Sequence, residues 1–112
     1  MSSIYYLLLD LKNDPELIAT YEAHHQKVWP EIEQSLRDSG IMKCEIFRFT
    51  NRLMMRLEVN EHFDFESKKE KDAHSPVVQE WEMLMWKFQQ ALPETPQGSK
   101  WQLMNKIYDW QS

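Results

Sequence analysis

The stretch from Ile4 to Leu11, IYYLLLDL, constrains this chain more than any other part of it. Both of its alternating faces are apolar, and it is too short to span a membrane and is interrupted at Asp10. A strand of that kind has to be covered on two sides. The chain has 112 residues, enough for one domain with one modest core. No internal repeat or linker divides it, so residues 1–112 are expected to form a single α+β domain.

The rest of the chain supplies elements that can give that cover. Asp14-Pro15 opens a helix, with Asp14 as N-cap and Pro15 at the first helical position. Leu17, Tyr21 and His25 recur every four residues and share one face of it. Pro30 cannot continue the hydrogen-bond ladder, so the helix should kink or restart there and run through Glu31 to Arg37, with Gly40 to end it. Two strand-like runs follow, Ile41 to Phe49 and Arg52 to Val59, and the short break Thr50-Asn51 reads as a hairpin. On the second run Leu53, Met55, Leu57 and Val59 face one way and Met54, Arg56 and Glu58 the other.

The dense charge run from Glu66 to Asp72 reads as a solvated face or loop. Ser75-Pro76 then opens a second helix with an apolar stripe of Val77, Trp81, Leu84, Phe88 and Ala91, flanked by Val78, Met85 and Leu92. Trp86 lies off that stripe. The segment 93–100, with two prolines and a glycine, reads as a loop, and Trp101 to Tyr108 as a last strand. The order βαββαβ predicts a ferredoxin-like sandwich. Two helices cover only one face of its sheet. The doubly apolar first strand therefore predicts a homodimer, with a second subunit closing a dimeric α/β barrel.

Composition narrows the function. The net charge is −5 and no basic stripe interrupts it, so a nucleic-acid backbone would meet repulsion; nucleic acid and membrane are both excluded as expected partners. Cys44 is the only cysteine, so no internal disulfide and no CxxC motif is available. No basic segment precedes the first apolar run, and a cytoplasmic location is expected. The four histidines lack metal-ligand spacing, and two distant glycines cannot build a phosphate loop, so no metal and no cofactor is expected.

What remains is proton-transfer chemistry or simple binding. Tyr21 and His25 lie one turn apart on the inward helix face, where an unpartnered phenol or imidazole would cost free energy. They are either satisfied core residues or ligand-binding groups. Five tryptophans give the chain large flat rings suited to packing or to a ligand platform.

The stretch Tyr21-x3-His25-x3-Trp29-Pro30-Glu31 resembles the rhamnose mutarotase family, small dimeric barrels that exchange the α and β anomers of L-rhamnose and related sugars. The similarity continues through Gly40, the hairpin, Val78-Gln79-Glu80-Trp81 with Met85, and Pro93, nearly the whole chain. The resemblance implies His25 as the catalytic, proton-transferring histidine and Tyr21 as a sugar-binding tyrosine. Trp81 matches the first of two adjacent substrate-contacting tryptophans, and Glu82 stands in place of the second. Cys44 occupies the position of another sugar-contacting tyrosine. Trp29 and Trp86 are expected either as further walls of the site or as residues of packing and the dimer interface.

The segment from Trp81 to Trp86, with Gln89 to Pro93 and Lys100-Trp101, is similar to a sub-branch assigned to L-fucose. The implied substrate is thus a 6-deoxy-L-hexose. Histidine suits its anomer exchange because an imidazole gives and takes protons near neutrality. Two other readings fit the same residues: a cofactor-free dimeric-barrel monooxygenase, and a non-enzymatic small-ligand-binding module.

Overall fold

A computed structural model describes residues 2–112. The first strand, β1 (Ser3–Leu11), leads into α1 (Pro15–His25) and α2 (Pro30–Asp38). Asp14 caps α1, its carboxylate accepting from the Glu16 and Leu17 amides at 2.9 and 3.2 Å. Pro30 restarts the helix as expected, because a proline suits a first turn and not a helix interior. Gly40 follows α2 with φ of 91°, and its amide donates to the Arg37 carbonyl at 3.0 Å. A Cβ there would also fall 2.5 Å from the Asn60 side-chain oxygen, so the position needs glycine twice over.

The hairpin falls where the sequence puts it, as β2 (Ile41–Phe49) and β3 (Arg52–Val59), with Thr50 at φ 52° in the turn. β3 lies antiparallel between β2 and β1, in register from Ser3 opposite Val59 to Asp10 opposite Arg52. The sheet runs β2-β3-β1 and then meets two short segments, β4 (Gln89–Gln90) and β5 (Gln102–Leu103), on the free edge of β1.

Three expectations are corrected. The charge run is a helix, α3 (Phe65–Ala73), capped by Asp64. Its Phe65, Lys68 and Asp72 turn partly inward at helical spacing, and Lys68 pairs with Asp72 at 2.9 Å. A short helix with one shallow inner stripe carries too few apolar residues to be visible as a periodic pattern. The next helix, α4 (Pro76–Trp86), stops five residues before Ala91, and its buried line is Val78, Trp81 and Met85. The chain then turns so that Gln89 and Gln90 bridge the Leu11 end of β1. That bridge takes up edge positions the expected last strand would have used. Of residues 101–108, only Gln102 and Leu103 pair as a strand, and the Met104 amide adds a bond to the Tyr6 carbonyl.

The helices cover one face of the sheet. Beneath them lie Leu7, Leu9 and Leu11 of β1 and Leu53, Leu57 and Val59 of β3, all buried. On the reverse face Ile4, Tyr6, Phe47 and Phe49 remain 45, 41, 49 and 81% exposed. Polar groups on that face pair with one another: Arg52 forks onto Asp10 at 2.8 and 3.2 Å, and Arg56 reaches Glu45 at 3.2 Å. Among the described residues no helix is long and apolar enough to cross a membrane.

Candidate active site

A cavity of about 510 Å³ opens between the helices and the covered face of the sheet. The α1 helix brings Tyr21 and His25 to it, and α4 brings Trp81 and Met85. The hairpin contributes Cys44, Ile46 and Arg48 from β2, which pair with Leu57, Met55 and Leu53 and so share the helix-side face. Gln89 of β4 also lines it.

The helical periodicity of α1 puts the His25 and Tyr21 rings in contact, with centroids 4.4 Å apart. Trp81 meets His25 edge-on at 5.7 Å. The imidazole Nδ1 lies 2.9 Å from the Tyr21 carbonyl oxygen. A carbonyl can only accept, so Nδ1 carries the proton of the neutral ring and Nε2 keeps its lone pair. Burial holds the His25 pKa below 6.5, the Tyr21 carbonyl opposing this and His24 adding to it. The ring is therefore neutral at pH 7, with a base at Nε2.

The Tyr21 phenol is buried and its pKa is pushed up to about 12, chiefly by desolvation, against the bond from Gln89. Gln89 Nε2 lies 3.5 Å from that phenol oxygen. Tyr21 thus stays protonated, accepting from Gln89 and keeping an O–H that can donate. Desolvation likewise raises the Cys44 thiol, with Lys68 opposing, which keeps it a thiol.

The sequence-derived residues do not all meet here. Tyr21, His25 and Trp81 line the one cavity. Trp29 packs edge-on against Trp81 at 5.1 Å and supports that ring from outside the lining. Glu82 lines an adjoining recess of about 180 Å³, where Lys100 Nζ lies 3.1 Å from its carboxylate. Trp86, at the end of α4, lines neither space. His24, one position off the Tyr21–His25 face, is half-buried with its ring 5.6 Å from that of Phe88.

Glu22, Arg48 and Gln89 line the cavity without having been singled out from the sequence. Gln89 was hidden inside an apparent helix, and Arg48 lies in a strand whose facing depends on a bulge near Met42. The alternation of Cys44, Ile46 and Arg48 alone could have put all three on one face.

Residues 5–110 match the family model for L-rhamnose mutarotase. A protein of Xanthomonas campestris named L-fucose mutarotase is 46% identical over 103 residues, covering 90% of this chain and 82% of that protein. The solved structure of an L-rhamnose mutarotase from Formosa agariphila superposes with a TM-score of 0.70 at 21% identity, covering 97% of this chain and 99% of that one. Tetracenomycin F2 cyclase from Streptomyces glaucescens superposes at 0.65 with 18% identity over 98% of both chains, a likeness of fold alone. With a match across nearly its whole length, this chain belongs to the L-rhamnose mutarotase family.

Proposed function

We propose that this protein interconverts the α and β anomers of a 6-deoxy-L-hexose, with His25 as the proton-transferring group. The neutral imidazole, its Nδ1–H held by the Tyr21 carbonyl and its Nε2 free to accept, carries this reading. Nε2 takes the proton from the anomeric hydroxyl as the bond between C1 and the ring oxygen breaks. The Tyr21 phenol donates a hydrogen bond to the ring oxygen as charge builds there, and His25 returns its proton to complete the open-chain aldehyde. Rotation about the C1–C2 bond presents the other face of the carbonyl. The same groups then act in reverse to close the ring.

Trp81 stacks against the C–H face of the sugar, and Met85 and Ile46 receive apolar atoms such as the C6 methyl. Trp29 supports Trp81. Glu82 and Trp86 act outside the first contacts to the sugar. L-fucose ranks ahead of L-rhamnose as substrate, because the relative named for L-fucose shares 46% of aligned positions.

The assembly belongs to the same proposal. A second copy covers the reverse face of the sheet, burying Ile4, Tyr6, Phe47 and Phe49 in a two-fold contact. A free, unpaired Cys44 thiol suits a reducing cytoplasm.

The deciding experiment is NMR saturation transfer between anomeric protons of L-fucose and of L-rhamnose, with wild type and His25→Ala. Wild-type acceleration that His25→Ala abolishes is the expected result. Failure of wild type to accelerate either sugar would overturn the reading.

A further inference from the structure

We infer that Arg48 is a specificity-determining residue of this cavity, binding sugar hydroxyls away from the anomeric carbon. The inference rests on the anomer exchange proposed above. Arg48 is the one Lys or Arg side chain among the described residues that line the cavity.

Its guanidinium is held from two sides. Nη1 donates to the Thr50 carbonyl at 2.8 Å, within the hairpin turn. Nη2 lies 3.1 Å from the Glu22 carboxylate on α1. These contacts use two of the five N–H donors of a guanidinium and fix its plane, leaving donors for a third partner.

Glu22 also sets where that fork sits. Glu22 and His25 are three residues apart on α1, a spacing that puts their Cβ atoms about 5–6 Å apart on the helix surface. A guanidinium docked on Glu22 therefore lines the same cavity as the imidazole. With C1 and the ring oxygen at His25 and Tyr21, the C2–C4 hydroxyls lie toward Arg48. A hydroxyl offers acceptor lone pairs, and a fixed cationic donor is well matched to them.

The lining also includes apolar Trp81 and Met85 from α4, and Ile46 beside Arg48 on β2, so the cavity offers both a hydroxyl-reading cation and a methyl-receiving surface. That polarity orients an otherwise nearly symmetric small ring. Because the contacted hydroxyls do not react, Arg48 binds ground state and transition state alike, and its loss falls on KM rather than kcat.

The test measures anomer exchange by saturation transfer over a range of sugar concentrations, with wild type, Arg48→Leu and Glu22→Gln. Arg48→Leu is expected to raise KM about 10–100-fold, as for a lost hydrogen bond to a charged group, with kcat within about twofold of wild type. Glu22→Gln, which loosens the fork without removing it, raises KM less.

A set of 2-, 3- and 4-deoxy analogues of the preferred sugar gives a second measurement on folded wild type. Wild type should discriminate against at least one analogue by about tenfold or more, and Arg48→Leu should not. If Arg48 only ties the hairpin to α1, Arg48→Leu lowers the unfolding temperature and leaves KM and analogue preference alone; that result overturns the inference. Wild type accepting every deoxy analogue equally would overturn it as well. If wild type exchanges no sugar, the proposed function itself fails, a result distinguishable from either of these.

Discussion

On the helix side of β1, Leu7, Leu9 and Leu11 are buried, while on its reverse side Ile4 and Tyr6 remain nearly half exposed. Ile4 is as hydrophobic as the buried leucines, so the difference lies in what each face meets. The helix side meets α1, α2 and α4 and leaves a cavity where Tyr21, His25 and Trp81 interrupt an otherwise aliphatic wall. The reverse side carries Phe47 and Phe49 among paired charges such as Arg52–Asp10 and Arg56–Glu45. That mixture of exposed rings and satisfied ions suits an interface between folded chains. One face of the sheet thus holds the candidate site, and the other is suited to building an assembly.

The sharpest way to break this division is His25→Ala. Removing a general acid–base group is expected to cost about 10²–10⁴-fold in kcat, read by anomeric saturation transfer, with the molecular mass in solution unchanged. An equal loss from a reverse-face substitution would blur the two roles.

Next in size is a pair of substitutions on the one strand. Leu9→Ala, at a fully buried position, should destabilise by about 2–5 kcal/mol in denaturant unfolding. Ile4→Ala, measured under conditions where the chain is monomeric, should cost under about 1 kcal/mol. Comparable costs would mean that both faces are core.

Phe49→Asp probes the reverse face directly. The side chain is 81% exposed in the single chain, so the fold should hold while light scattering shows the mass halved relative to wild type. A wild type already monomeric at all concentrations would remove the interface from the comparison.

The effects confined to the extremes of pH come last. Burial raises the Tyr21 pKa from 10.0 to about 12, so the phenolate favours the unfolded chain. The stability it contributes is intact below pH 10 and is lost as pH rises toward 12, a loss on the order of 2 kcal/mol. Burial lowers His25 instead, so the unfolded chain binds more protons once pH falls below 6.5, and stability declines on that side. Catalysis should follow the same group: kcat/KM falls on the acidic side as Nε2 is protonated, at a lower pH than for an unshifted histidine. A tyrosine-to-phenylalanine change at Tyr21 should remove the alkaline effect and leave the acidic one.

Much of the fold was legible because its signals are local. Asp14-Pro15, Pro30, Gly40 and Thr50-Asn51 each fix a cap, a restart, a stop or a turn through their own backbone chemistry. The α3 helix was not legible, since seven consecutive residues from Glu66 to Asp72 include six that are charged and give no apolar period. Its inward Lys68–Asp72 pair satisfies itself, a possibility that residue type does not reveal. The C-terminal third misled for a related reason. Phe88, Ala91 and Leu92 extend the period of α4 in the sequence, yet the chain leaves the helix after Trp86 to pair Gln89–Gln90 with β1.

For the site, the four-residue spacing of Tyr21 and His25 was enough to predict that they meet, because a helix brings i and i+4 together wherever it lies. The sequence by itself also determined the two apolar faces of β1 and the hairpin's place in the chain, both carried by local residue pattern. Only the tertiary structure decided that Gln89 binds the Tyr21 phenol, that Glu22 holds Arg48, and that Glu82 faces an adjoining recess instead of the cavity. Those contacts join segments 68, 26 and 18 residues apart, the last through Lys100. Their geometry depends on how helices settle on the sheet, and no periodicity within one segment carries that information.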